Sequence, residues 1–444
     1  MRSIQLFLFI LASLNVFAQT NTWIAQDGLW ESSKNWSLGI VPTDDHDVVL
    51  PAGAEVTIEE DNWQAQSVDI DQQAVLYIRP DAYLWVRSWS QTGATFRNAG
   101  HLVVDGRLVV RHAYYTNNSS GIFNSGHIDI TPGGSLELHH NHFGLENVGT
   151  VNISGNLQGN RHNWMISQHS GGSINISSTG YVYARRIYSR VINMNAGTSI
   201  TNAGRIRLAY EIGGGGIYVY GQFENLAGAD IWIQESDYSG IAVDGSNGRM
   251  INHGTIRLNE NNSIISAFYV STNSQMHNTH SGIVEINTPN LVGYALLVQL
   301  GAEFINDGEV DIDGSGSDYA VRIVGVNSLL LNKGYFAVDG DFYAGIGCRP
   351  GAQLINDTGT LAVYGIIWSL DIQGEMINES CGLLKTWSRV FFKDNSDVSN
   401  YGYWEHNSGQ VDLEPASQLK NEAVIYDLGG AFDAIIANTS FGND

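Results

Sequence analysis

Three arginines and a tryptophan have types and spacing that could hold an anionic sugar chain: Arg205, Arg207, Trp232 and Arg257. A guanidinium offers a planar fork to carboxylates and stacks on an indole face by cation–π attraction. Arg207, Trp232 and Arg257 follow one another at intervals of 25 residues. A fold repeating with that period would line them up on one exposed face. The stretch "ARRIYSR" (184–190) adds three arginines in the loop before them. The competing reading is a solvated strand face on which Glu285 and Asp311 answer Arg257. Against it, this is the basic island of an acidic chain.

Two further groups carry metal-ligand chemistry. "DIDGSGSD" (311–318) sets Asp311, Asp313 and Asp318 beside glycines, as calcium loops do, without the complete EF-hand spacing. An outward strand residue and a turn residue explain the first two acids as well. His101 and His127 hold the same position in adjacent repeats, and "HHNH" (139–142) follows them. Paired imidazoles suit a transition metal. No third ligand stands in register, which favours ordinary surface histidines. No motif requires a cofactor; Ca2+ is the ion the acidic stretch would take.

What must position these residues is a repeat. "FINDGEVDIDG" (304–314) returns as "LLNKGYFAVDG" (330–340), "FRNAGHLVVDG" (96–106) and "LENVGTVNISG" (145–155). With the Asn as position zero, Gly follows at +2 and apolar residues at +4 and +6. Asn98, Asn124, Asn147, Asn202, Asn252, Asn306 and Asn332 head full copies, and Ser170 heads one in phase. Looser copies start at Asn225, Asn278, Asn356, Asn378, Asn400 and Asn421. From Asn98 to Asn421, thirteen steps cover 323 residues, a mean of about 25.

That period means a solenoid, propeller or array. Apolar residues alternate with period two, so the units are strands. One unit is too short for a four-stranded blade of roughly 40 residues. Steps that drift between 21 and 32 residues suit loops bulging from a solenoid. The expected fold is therefore all-β: a right-handed parallel β-helix solenoid with coils of about 25 residues and a Trp-rich N-terminal cap. Its asparagines would form a structural ladder at a corner, tolerating left-handed backbone and bonding the same Asn one coil away. The outward ladder between +4 and +6 then reads Val103, Asp129, Asn152, Asn175, Arg207, Trp232, Arg257, Glu285, Asp311 and Ala337.

"MRSIQLFLFILASLNVFA" (1–18) reads as a signal peptide cleaved after Ala18, followed by a cap segment (19–58) and the β-helix (59–444). No later segment has the roughly 18 to 20 unbroken apolar residues of a transmembrane helix. Without Arg2, 21 basic residues face 45 acidic ones, a net charge of −24. That field repels nucleic acid and attracts divalent cations. Cys348 and Cys381 are too few for a disulfide framework, and their pairing stays open.

The stretch 22–58, with Trp23, Trp30, Trp36, Pro42 and Asp47 before "AEVTI", resembles the opening cap of bacterial secreted and cell-surface β-helix proteins, especially those of Bacteroidetes. "AQSVDI", "AVLYI" and "AYLWV" are similar to that family's opening strands. The resemblance implies a pectin-lyase-like architecture across nearly the whole mature chain and a secreted or outer-surface location. Its tryptophans would close the open end of the helix rather than stack on sugars. Members exported by the type IX route carry a C-terminal sorting domain. This chain ends "AFDAIIANTSFGND" (431–444) in repeat-like sequence, implying truncation or another mode of attachment.

Enzymes of this fold use clustered acids, often with calcium, and an Arg or Lys base. The polygalacturonase series is not present: Asp44 and Asp45 fall in the cap, and "RIR" (205–207) lacks partners. There is no Gly-x-Ser-x-Gly elbow, no His-Glu-x-x-His motif and no phosphate loop. The expected function is a non-catalytic adhesin, stalk or glycan-binding module whose partner is an extracellular polysaccharide or surface glycan. The alternative is a polysaccharide lyase or glycoside hydrolase working in a groove.

Overall fold

A computed structural model describes residues 18–88, 93–112, 119–259, 266–365 and 367–428. Most of the leader (1–17) and the terminal stretch 431–444 lie outside the described residues. The chain is all-β, with 47 strands and a single three-residue 3-10 turn at Ser33–Asn35 among the described residues. Every strand-to-strand register is parallel, so each coil lies directly on the one before it. The coil has three sides. One side is a stack of 17 short strands running from Asp27–Leu29 to Gln418–Asn421. The other two merge into one 30-stranded sheet, because long strands such as Asn156–Gln168, Tyr181–Met194 and Glu309–Val324 run round the corner between them. Sixteen steps at ordinary strand spacing make a rod roughly 75 Å long.

The core follows from the alternation. Leu102, Val104, Ile206, Leu208, Val310 and Ile312 are buried to 1% exposure or less. Each packs on its counterpart one coil away, giving one continuous apolar column, while the intervening residues face outward. The glycine at +2 is required by close approach: a Cβ on Gly308 would lie 2.2 Å from the Gly282 carbonyl oxygen beneath it.

Apart from half-buried Asn421, the asparagines are buried inside the corners, each at the end of a strand. None takes the left-handed backbone expected of a corner residue. The reason is that the amide, rather than the backbone, does the corner's work. Asn202 donates from Nδ2 to Asn225 Oδ1 at 2.8 Å, and the pattern continues unbroken through Asn252, Asn278, Asn306, Asn332, Asn356, Asn378, Asn400 and Asn421. Nδ2 also reaches a backbone carbonyl in many coils, as Asn306 does at Tyr335. From Asn202 onward these buried amides are therefore satisfied, whereas Asn98 Oδ1 has no partner among the described residues.

The asparagines do not form a single ladder. Asn98, Asn124 and Asn147 bond one another at 2.7 Å, but Asn147 stacks next on Gln168 and then Met194. Asn202 stacks on Ile176, one side of the coil further on. The Asn-x-Gly phrase marks one corner up to residue 147 and the following corner from 202. Both corners need a residue that bonds its own image and a glycine pressed against the previous coil, so one phrase serves either. The outward ladder changes accordingly. Asn175 is followed by Thr201, and Arg207 is preceded by Tyr183, Gln158 and Glu137.

At the N-terminus, Gln19–Thr22 pairs with residues 46–49 and Asp27–Leu29 with residues 55–57, forming the first coil. Trp23, Trp30 and Trp36 are no more than 1% exposed and meet edge to face, with ring centroids 5.1 and 4.8 Å apart. Trp36 Nε1 donates to the Trp30 carbonyl at 2.7 Å. Their faces are spent on each other, which leaves none for a sugar ring.

Candidate functional site

The strands Arg205–Leu208, Asp230–Gln234 and Thr255–Asn259 lie side by side, with Arg207 opposite Trp232 and Trp232 opposite Arg257. Inward Ile206, Ile231 and Ile256 fix these strands to the core, so the outward residues between them must stand on one face. Together with Tyr181 from the coil before, they line a groove of about 780 Å3.

The Arg207 guanidinium lies 4.1 Å from the centroid of the Trp232 ring. Its Nε is buried without a hydrogen-bond partner, and so is Trp232 Nε1. Burial raises the Tyr181 hydroxyl above its usual pKa, and the Arg207 charge beside it opposes that rise. The Tyr181 and Tyr183 rings stack at 6.1 Å.

Arg257 behaves differently. It donates through Nη1 to Asp230 at 2.6 Å and through Nε to Glu285 at 2.8 Å. The expected partner Asp311 is not involved, because Asp230 is nearer and belongs to the adjacent coil. Arg205, opposite Asp230 and Tyr181, is exposed at the rim. The arginines of 184–190 do not reach this groove. Arg186 is paired with Glu211, and Arg190 lies round the corner on another side of the coil.

Arg190 there belongs to a second groove, of about 620 Å3, that sequence reasoning missed. Its guanidinium lies 4.1 Å from the Tyr218 ring centroid and 5.6 Å from that of Trp164, and it donates to Asn193 Oδ1 at 2.6 Å. Phe143 meets Trp164 edge to face at 5.4 Å. Phe143, Trp164 and Arg190 are register partners in successive coils. Aligning the three sequences on that side, rather than on the Asn phrase, would have shown them as neighbours.

Asp311, Asp313 and Asp318 lie along one strand, Glu309–Val324. Burial raises the Asp311 carboxyl above its usual pKa, and Asp313, Glu309, Asp339 and Glu285 add to the rise. Asp318 Oδ1 accepts from the Tyr319 backbone N–H at 2.9 Å. The one group of three metal-ligand side chains converging among the described residues is elsewhere, at His101, His127 and Asp129. Cys348 is buried and Cys381 exposed, both as free thiols; burial pushes the Cys348 thiol up to about 12.

No family model matches the chain, and no curated protein matches it. Among solved structures it is similar to a crystallised TibA fragment (residues 55–350), hyper-glycosylated by TibC. The identity is 13%, 78% of this chain and 94% of that one are covered, and the TM-score is 0.26. No helix among the described residues is long and apolar enough to cross a membrane.

Proposed function

We propose that the chain is a non-catalytic secreted or cell-surface β-solenoid of adhesin-like type, and that the groove around Arg207 and Trp232 binds an anionic glycan. The N-terminal stretch 1–18 supports export. One observation carries the binding reading. Arg207 is stacked on an indole, opens into a groove and has no carboxylate partner among the described residues, while Arg257 beside it has two. A partly desolvated guanidinium without a counter-ion suits an external carboxylate or sulfate, and Trp232 and Tyr181 supply apolar faces for sugar rings.

The groove is poorly equipped for cleavage. Asp230 is the one carboxylate among its lining residues, and Arg257 engages it at 2.6 Å. General acid–base chemistry needs a carboxyl free to exchange its proton near the reacting oxygen. The test is to incubate residues 19–444 with neutral and acidic polysaccharides, with and without Ca2+. Polymer length and retardation of the protein in polymer-containing gels are then followed together. Retardation by acidic polymers without shortening supports the reading. Shortening of any polymer overturns the non-catalytic part, and absence of retardation overturns the glycan part.

A further inference from the structure

The geometry points to a binding site for a divalent transition metal of the zinc class, formed by His101, His127 and Asp129 across two adjacent coils. His101 and His127 open the strands His101–Val104 and His127–Ile130 and are direct register partners. Inward Leu102, Val104, Ile128 and Ile130 hold both strands on the core, so the two imidazoles and Asp129 stand on the same outer surface. The rings are 4.9 Å apart at their centroids.

Both imidazoles aim one nitrogen at one carboxylate. His101 Nε2 lies 2.8 Å from Asp129 Oδ2, and His127 Nε2 lies 2.9 Å from Asp129 Oδ1. The three donor atoms all fall within 4.8 Å of one another. Bonds of about 2.0–2.1 Å to a tetrahedral ion place its donors roughly 3.3 Å apart. Rotation of half-exposed side chains on a fixed backbone is enough to reach that spacing.

Asn152, in the next coil, donates to Asp129 Oδ1 at 2.9 Å and accepts from Asn175 at 3.0 Å, so the carboxylate is oriented by a chain of amides. A ligand held by an outer hydrogen bond is a recurring feature of metal sites. Burial opposes ionisation of Asp129, but Asn152 and the two imidazoles outweigh it and hold its carboxyl below the usual range. All three side chains are between 31% and 38% exposed, so an ion can enter from solvent.

Two nitrogens and one oxygen select zinc, nickel or copper over calcium, which takes six to eight oxygens. Three protein ligands leave one position for water. The bound ion would tie one coil to the next near the N-terminal end of the rod. Ligation would use the Nε2 lone pair of each imidazole, the nitrogen already turned toward Asp129.

The test uses the intact chain and Zn2+ alone, in competition with a chromophoric chelator, with Co2+ as the spectroscopic probe. The expected result is one tight Zn2+ per chain, a visible Co2+ band of four-coordinate intensity, and Ca2+ binding weaker by ~10-fold or more. His101→Gln and His127→Gln should each remove the tight ion, with the parallel-sheet circular dichroism retained. His139→Gln, in the nearby histidine cluster, should leave it in place. Absence of tight zinc in the unaltered chain overturns the site. So does zinc that survives in both His101→Gln and His127→Gln, or zinc that His139→Gln removes equally.

Discussion

The hydroxyl of Tyr319 donates to the carboxylate of Asp371, which lies two coils further along the rod. Asp371 is fully buried, yet it is ringed by cations. Lys393 Nζ donates to it at 2.8 Å, and Arg349 stands 3.5 Å away while donating to the Tyr319 oxygen at 2.9 Å. Four successive coils, carrying Tyr319, Arg349, Asp371 and Lys393, are thereby tied by one carboxylate. Removing it leaves a buried phenol and two cations without their acceptor, which typically costs about 3–5 kcal/mol. Asp371→Ala should lower the unfolding free energy by that order, read by thermal or denaturant melting. Tyr319→Phe, which keeps the ion pairs, should cost less.

The asparagine ladder makes a positional prediction. Asn306 accepts from Asn278 and donates to Asn332, both at 2.8 Å, so Asn306→Ala strands a donor and an acceptor in the interior. Each unsatisfied group costs about 1–3 kcal/mol. Asn421 is the last asparagine of the ladder among the described residues, accepting from Asn400 at 2.7 Å, and is itself half-buried. Asn421→Ala should therefore be clearly milder in the same denaturation measurement.

His162 predicts a pH dependence. It is fully buried; Nε2 lies 2.8 Å from the Leu138 carbonyl oxygen, and Nδ1 faces Asn141 at 3.3 Å. Burial lowers it to about 4, against the opposing pull of those backbone contacts. An unfolded histidine titrates near 6.5, so between that pH and about 4 the unfolded chain holds the extra proton. Stability should fall as pH drops through this window, by up to about 3 kcal/mol from this residue, with no further loss from it below pH ~4. Denaturant melts from pH 7 to 4 check this, and His162→Gln should flatten the slope.

Much of the fold is written in the chain because a solenoid repeats its demands. Every coil needs an inward apolar pair such as Val310 and Ile312 and a glycine such as Gly308 where a Cβ would strike the coil beneath. The phase was less legible. Asn147 and Asn202 carry the same phrase at successive corners, and nothing in either phrase names its corner. The interval holds the clue, since the 55 residues from Asn147 to Asn202 make two coils and one extra side.

The candidate site was legible where the phase was intact. Arg207, Trp232 and Arg257 stand together because their three coils share one register. Tyr181 and Tyr183 were missed because the slip lies just before them. Asp129 was already among the outward residues two places from His127; it completes a three-ligand cluster only when the +3 and +5 positions of adjacent coils are set side by side.

The proposed binding face is tested most directly by comparing the unaltered chain with Arg207→Ala in gels containing a polyuronate, at low and high salt. The predicted result is strong retardation of the unaltered chain that weakens with salt, and a loss of affinity of about 10-fold or more in Arg207→Ala, the size expected for one charge-assisted contact. Trp232→Ala should show a comparable loss and Arg205→Ala a smaller one. Equal retardation of the unaltered chain and Arg207→Ala would contradict the assignment of this groove as the glycan-binding face.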